Sequence, residues 1–171
     1  MRNYLLLGLI FSIFVAPAFA VEVAQKYIPD AKEVGKARLT YMMWDVYDAS
    51  LYAPKGQWRN DKPYALQLRY LRSLKGDAIA KRSVEEMRKQ GFNDEMKLAA
   101  WYSQMRDIFP DVKKGTEIVG ISTANKATQF YKNGSLIGEI QDADFGKKFF
   151  GIWLNEKTSE PKMRRQLLGL N

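Results

Sequence analysis

Residues 39–54, LTYMMWDVYDASLYAP, constrain the fold of this chain more than any other stretch. They are dense in aromatic and long apolar side chains, a composition that suits a pleated, half-covered surface. The stretch reads as two strands meeting near Asp45. Its alternation is imperfect, with Leu39, Tyr41 and Met43 on one face and Met42 and Trp44 on the other. Both faces are therefore expected to touch protein or a bound ligand. The clearest half-buried strand follows at 64–70, where Tyr64, Leu66, Leu68 and Tyr70 share one face and Gln67 and Arg69 take the other.

Before this pair, residues 21–36 read as a lead-in segment or a short first strand. After it, Gly76-Asp77 opens a helix, with Asp77 as its N-cap, an apolar stripe of Ile79 or Ala80, Val84 and Met87, and Gly91 as its stop. A second helix over about 94–109 carries Leu98, Trp101, Met105 and Ile108 at helical spacing before Pro110. Strands resume at 116–123 and 127–132, and Asn133-Gly134 turns the chain back into 135–140. A third helix runs from about 142 to 154 with Phe145, Phe149, Ile152 and Trp153 inward; capping and the helix dipole account for Asp142 and Asp144. The last helix starts at a Thr158-Ser159 cap, has Pro161 in its first turn and ends at Gly169. The order is strands, two helices, strands, two helices. That order predicts an α+β domain, a mainly antiparallel sheet with helices packed on one face. A nucleotide-binding sheet is excluded, because there is neither β-α-β alternation nor a glycine-rich phosphate loop.

Residues 1–20 read as a secretory signal peptide: Arg2, an apolar run over 5–15, and the small-x-small site Ala18-Phe19-Ala20. Cleavage after Ala20 leaves 21–171 as a single domain with no transmembrane segment, exported, and periplasmic if the organism is Gram-negative. Cysteine and histidine are absent, which excludes disulfides, the usual zinc sites and every histidine-based triad; no metal and no cofactor is expected. The formal charge is +8, and +7 once Arg2 leaves. Without a recognition motif, that charge points to a small anionic ligand or an anionic surface and not to nucleic acid.

Four segments taken in order, WDVYDASLYAP (44–54), ALQLRYLRSLKGDAIA (65–80), FYKNGSLIGEI (130–140) and FFGIWLNEKTSEPKMRRQLLG (149–169), resemble a secreted bacterial chalcone-isomerase-like protein. The resemblance implies an open-faced β-sandwich with a ligand cleft between a large antiparallel sheet and its helices. It also implies one of two activities known in the wider family, closure of a chalcone to a flavanone or non-enzymatic binding of fatty acids. The enzymes place a threonine five residues before the tyrosine of a Val-Tyr pair; counting back from Val46-Tyr47 reaches Met42. They also place a tyrosine and an asparagine around the first cleft helix, and residues 76–90 contain neither. No catalytic residue is therefore assigned.

The residues themselves suit binding. Met42, Met43, Trp44, Tyr47, Leu68 and Tyr70 would line an apolar cleft, with Arg72, Lys75 and Arg82 as positive charge at its mouth. The expected ligand-binding residues are Tyr47, Tyr70, Arg72 and Arg82, and the expected ligand is a small amphipathic anion such as a fatty acid. Two alternatives stay open. One is an isomerase or lyase acting on a chalcone-like enone through Tyr47, Tyr70 or a lysine. The other is an envelope protein-interaction module whose cleft is filled by its own side chains.

Overall fold

Alternating apolar side chains hold six strands in one antiparallel meander. A computed structural model describes residues 19–170; the expected signal peptide lies outside the described residues apart from Phe19 and Ala20. The strands are β1 (Ala31–Tyr41), β2 (Trp44–Pro54), β3 (Tyr64–Tyr70), β4 (Glu117–Ser122), β5 (Thr128–Lys132) and β6 (Ser135–Ile140), paired in sequence order. The helices are α1 (Phe19–Tyr27), α2 (Gly76–Lys89), α3 (Glu95–Ile108), α4 (Ala143–Leu154) and α5 (Pro161–Leu167). The α+β architecture is as expected, with α2 to α5 gathered on one face of an open sheet.

Two local readings at the start of the sheet are corrected. The segment 21–36 is neither a lead-in nor one short strand: it supplies α1 and, from Ala31, the first half of β1. Helix α1 crosses the opposite face of the sheet and buries Val23, Ala24 and Ile28 against Tyr52, Ala65, Val119 and Ile121. The first hairpin turns at Met42-Met43, three residues before Asp45. Two register shifts explain why its alternation looked broken: Val34 and Val46 each stand unpaired between bonded neighbours.

The helical layer is fixed by caps and an aromatic core. Asp94 accepts from the Lys97 amide and caps α3; Asp142 accepts from the Asp144 and Phe145 amides and caps α4. Asp142 also accepts from the Trp101 indole at 3.0 Å, which ties α3 to the start of α4. Asp77 does not cap α2. Asp111, beyond α3, accepts from the Gly76 amide at 3.0 Å, so the cap comes from a distant residue, while Asp77 accepts from the Tyr102 hydroxyl. Phe149 of α4 lies within 6.1 Å, centroid to centroid, of Phe109, Phe130, Phe145, Phe150 and Trp153. Most of these pairs meet edge to face, the arrangement that the ring quadrupole favours.

Helix α5 closes the layer by approaching β1 at Gly35. A Cβ there would stand 2.2 Å from the Gln166 carbonyl oxygen and 2.8 Å from that of Leu167. Both obstacles are backbone, so neither can rotate aside. Gly35→Ala is expected to destabilise the fold by about 2 kcal/mol or more, as overpacking does. Thermal unfolding of the variant checks this; an unchanged midpoint would mean that α5 does not dock as described.

Candidate ligand-binding site

Between the sheet and its helices lies a cavity of about 410 Å³. That is within the range of roughly 300–1,000 Å³ typical of small-molecule sites. Its floor is the sheet, through Leu39, Leu68, Ile118 and the consecutive Val46 and Tyr47. The bulge at Val46 is what lets two neighbouring residues of β2 face the same space. The roof is α2 and α4, through Ile79, Phe149, Ile152 and Trp153. The wall is predominantly apolar.

All four residues expected to bind ligand, Tyr47, Tyr70, Arg72 and Arg82, line this cavity. They reach it from three places. Tyr47 and Tyr70 are direct cross-strand partners on β2 and β3, with rings 5.9 Å apart and edge to face. The Tyr47 hydroxyl accepts from the Trp153 indole at 3.0 Å, which leaves its own proton free to donate. Burial pushes the pKa of both tyrosines well above the ordinary phenol value, so both hydroxyls are neutral donors at any physiological pH. Arg72, just past β3, is exposed, belongs to the cavity wall and lies 5.6 Å over the Trp44 ring.

Arg82 is placed on the wall but is not free. Its guanidinium meets Glu86 at 2.7 Å, one turn along α2. Glu86 also takes Lys89 at 2.9 Å and the Ser159 hydroxyl at 2.6 Å, and its side chain is only 6 % exposed. Desolvation raises its pKa, but the bonds from Ser159 and Lys89 and the charge of Arg82 outweigh it, and the pKa is held below its ordinary value. The cavity rim therefore carries an ionised carboxylate clamped between two cations, which the sequence did not suggest. Glu86 looks there like one more surface residue between Arg82 and Lys89, and nothing announces its partner Ser159, 73 residues further along the chain.

Four expected contributors lie elsewhere. Met42 and Met43 form the exposed tip of the first hairpin and do not line the cavity, because the turn falls on them and not at Asp45. Trp44 sits in an adjoining open depression with Arg38, Arg72 and Lys114. Lys75 is exposed and paired with Asp111 at 2.6 Å. Among the described residues, no group of three or more acidic side chains is placed to hold a metal ion.

A sequence model described as chalcone isomerase-like matches residues 21–169, and the chain belongs to that family. A Haemophilus influenzae relative, an uncharacterised protein, is 27 % identical over 137 residues, covering 80 % of this chain and 67 % of the relative. Among solved structures, a fatty-acid binding protein of Arabidopsis thaliana superposes with a TM-score of 0.64 at 12 % identity, over 82 % of this chain and 87 % of that one. At that identity the likeness speaks for the fold.

The Glu86 cluster makes a pH prediction. A carboxylate whose folded pKa is depressed adds stability above its unfolded value, near 4.5, and loses it as pH falls through the folded value. Glu86→Gln is thus expected to unfold at lower temperature than the parent at pH 7, by about 1–2 kcal/mol in stability. The gap should close below about pH 4. Parallel melts from pH 7 to pH 3 test it; a gap that stays constant would show that the charge on Glu86 contributes nothing.

Proposed function

We propose that this protein binds one amphipathic anion, of the fatty-acid class, in the cavity between its sheet and helices, without chemical turnover. The observation that carries this reading is the pairing of an apolar chamber with one cation on its wall, Arg72, that has no carboxylate partner among the described residues. A hydrocarbon chain gains about 0.8 kcal/mol for each methylene taken from water. A carboxylate beside Arg72 and the Tyr47 and Tyr70 hydroxyls gains charge-assisted hydrogen bonds. The Arabidopsis thaliana neighbour is a fatty-acid binding protein, which supports the same reading on the same fold.

Arg82 has a different part in this proposal. With Glu86 as its partner it orders the rim, and Arg72 becomes the cation that meets the ligand. Turnover is not proposed. The position that counting assigns to the family's catalytic threonine is Met42, outside the cavity, and α2 contributes no tyrosine or asparagine to the wall. We further propose that residues 1–20 direct export, the support being the charged start, the apolar run and the small-x-small site.

Displacement of a fluorescent fatty acid tests the assignment. Arg72→Ala is expected to weaken binding about tenfold or more, the usual scale for a lost charge-assisted bond. Ala78→Trp, on the exposed side of α2 at the cavity wall, should obstruct the chamber and abolish uptake while leaving the melting temperature near that of the parent. Equal affinity in all three proteins would contradict the site. Disappearance of a chalcone's long-wavelength absorbance, abolished by Tyr47→Phe, would replace binding with isomerisation.

A further inference from the structure

Four consecutive large side chains at the tip of the β1–β2 hairpin are left uncovered by the fold. Tyr41 is 62 % exposed, Met42 83 %, Met43 90 % and Trp44 64 %. Tight turns are ordinarily made of glycine, asparagine or aspartate, which are soluble and tolerate a positive φ. Here Met42 holds a φ of 57°, a conformation that a bulky side chain rarely adopts and that glycine would take at no steric cost. The tip is thus apolar where solubility and backbone geometry both favour something smaller.

The charge around the tip identifies what covers it. Trp44 walls an open depression whose charged residues are Arg38, Arg72 and Lys114 against the single carboxylate of Asp45. Arg38 is held by Asp45 at 3.0 Å and Asp48 at 2.6 Å. Arg72 lies over the Trp44 ring, and neither it nor Lys114 has an ion-pair partner among the described residues. An indole flanked by unpaired cations, with flexible apolar side chains beyond it, matches the chemistry of an anionic membrane interface: phosphates outside, acyl chains within, and aromatic rings at the boundary. A second copy of this chain fits poorly, since the same cations would face one another on a protein of charge +8. A folded protein partner fits poorly too, because a four-residue tip offers far less than the roughly 800 Å² per side of a stable interface.

We propose that this hairpin docks the protein on an anionic phospholipid bilayer, with Met42 and Met43 among the acyl chains, Trp44 at headgroup level, and Arg72 and Lys114 against lipid phosphate. The proposal stands on the tip residues and Lys114 whatever the cavity holds, while Arg72, shared with the cavity wall, serves either a ligand head group or a lipid phosphate. The position of the tip is nevertheless telling, for Tyr41 and Arg72 belong to the cavity wall as well, so a bilayer touching the tip stands at the cavity's exposed rim.

Cosedimentation of the protein with vesicles of phosphatidylglycerol and phosphatidylethanolamine, against vesicles of phosphatidylcholine alone, tests the proposal. The anionic vesicles are expected to be bound and the neutral ones to be bound far more weakly. Replacing both tip residues, Met42→Ser with Met43→Ser, should reduce partition about tenfold or more, and Lys114→Gln should reduce it several-fold at low salt. On anionic vesicles the emission of the parent should shift to the blue, and the shift should be lost in Trp44→Phe. Absence of binding to anionic vesicles overturns the proposal. So does binding that the double substitution leaves unchanged, which would mark adsorption through the general basic surface. Concentration-dependent self-association of the parent, abolished by the same substitutions, would make the tip's partner a second copy and overturn it as well.

Discussion

Phe149 is the side chain on which both the core and the cavity depend. On one side it meets Phe109, Phe130, Phe145 and Phe150, which lock α4 to the sheet and to the end of α3. On another it lines the cavity beside Ile152 and Trp153. The aromatic wedge therefore stiffens the helical layer while holding α4 far enough from β2 and β3 to leave a chamber. Trp153 extends the same logic to the ligand side, because its indole bond fixes the Tyr47 hydroxyl and sets which way that hydroxyl can donate.

Electrostatics then divides the arginines of the site. Glu86, nearly buried and bonded to Ser159, Lys89 and Arg82, is satisfied in full and ties α2 to the start of α5. That pairing occupies the Arg82 guanidinium, so this end of the rim offers a carboxylate no unpartnered arginine. Arg72, by contrast, is opposed only by the face of an indole, which stabilises a cation without neutralising it. The two arginines thus differ in availability, and a carboxylate head would be drawn toward Arg72 and the first hairpin.

Sequence pattern exposed most of this fold and part of the site. The strand at 64–70, the turn at Asn133-Gly134, the cap at Asp142 and the stripe on α4 all stand where local chemistry places them. In these cases propensity, capping and burial agree. They conflict in β1, an edge strand whose sequence AKEVGKARLTY is largely polar and bulged, and in the turn at Met42-Met43, which lacks any turn-forming residue. Helix α1 is nine residues long, too short for its periodicity to stand out. Tyr70 was legible because the alternation of 64–70 fixes its face, whereas the bulge at Val46 breaks the alternation that would fix Tyr47. Their shared register, the role of Trp153 and the bond from Ser159 to Glu86 were not, since each depends on residues far apart in the chain that only packing brings together.

The account turns on whether the chamber holds a ligand. Native mass spectrometry of the protein isolated without detergent, followed by denaturation to release and weigh any bound molecule, asks this most directly. The prediction is one small amphipathic acid per chain, retained through purification or taken up when a fatty acid is added. A bare chain that also refuses added fatty acids would contradict the account and leave the cavity without the function assigned to it.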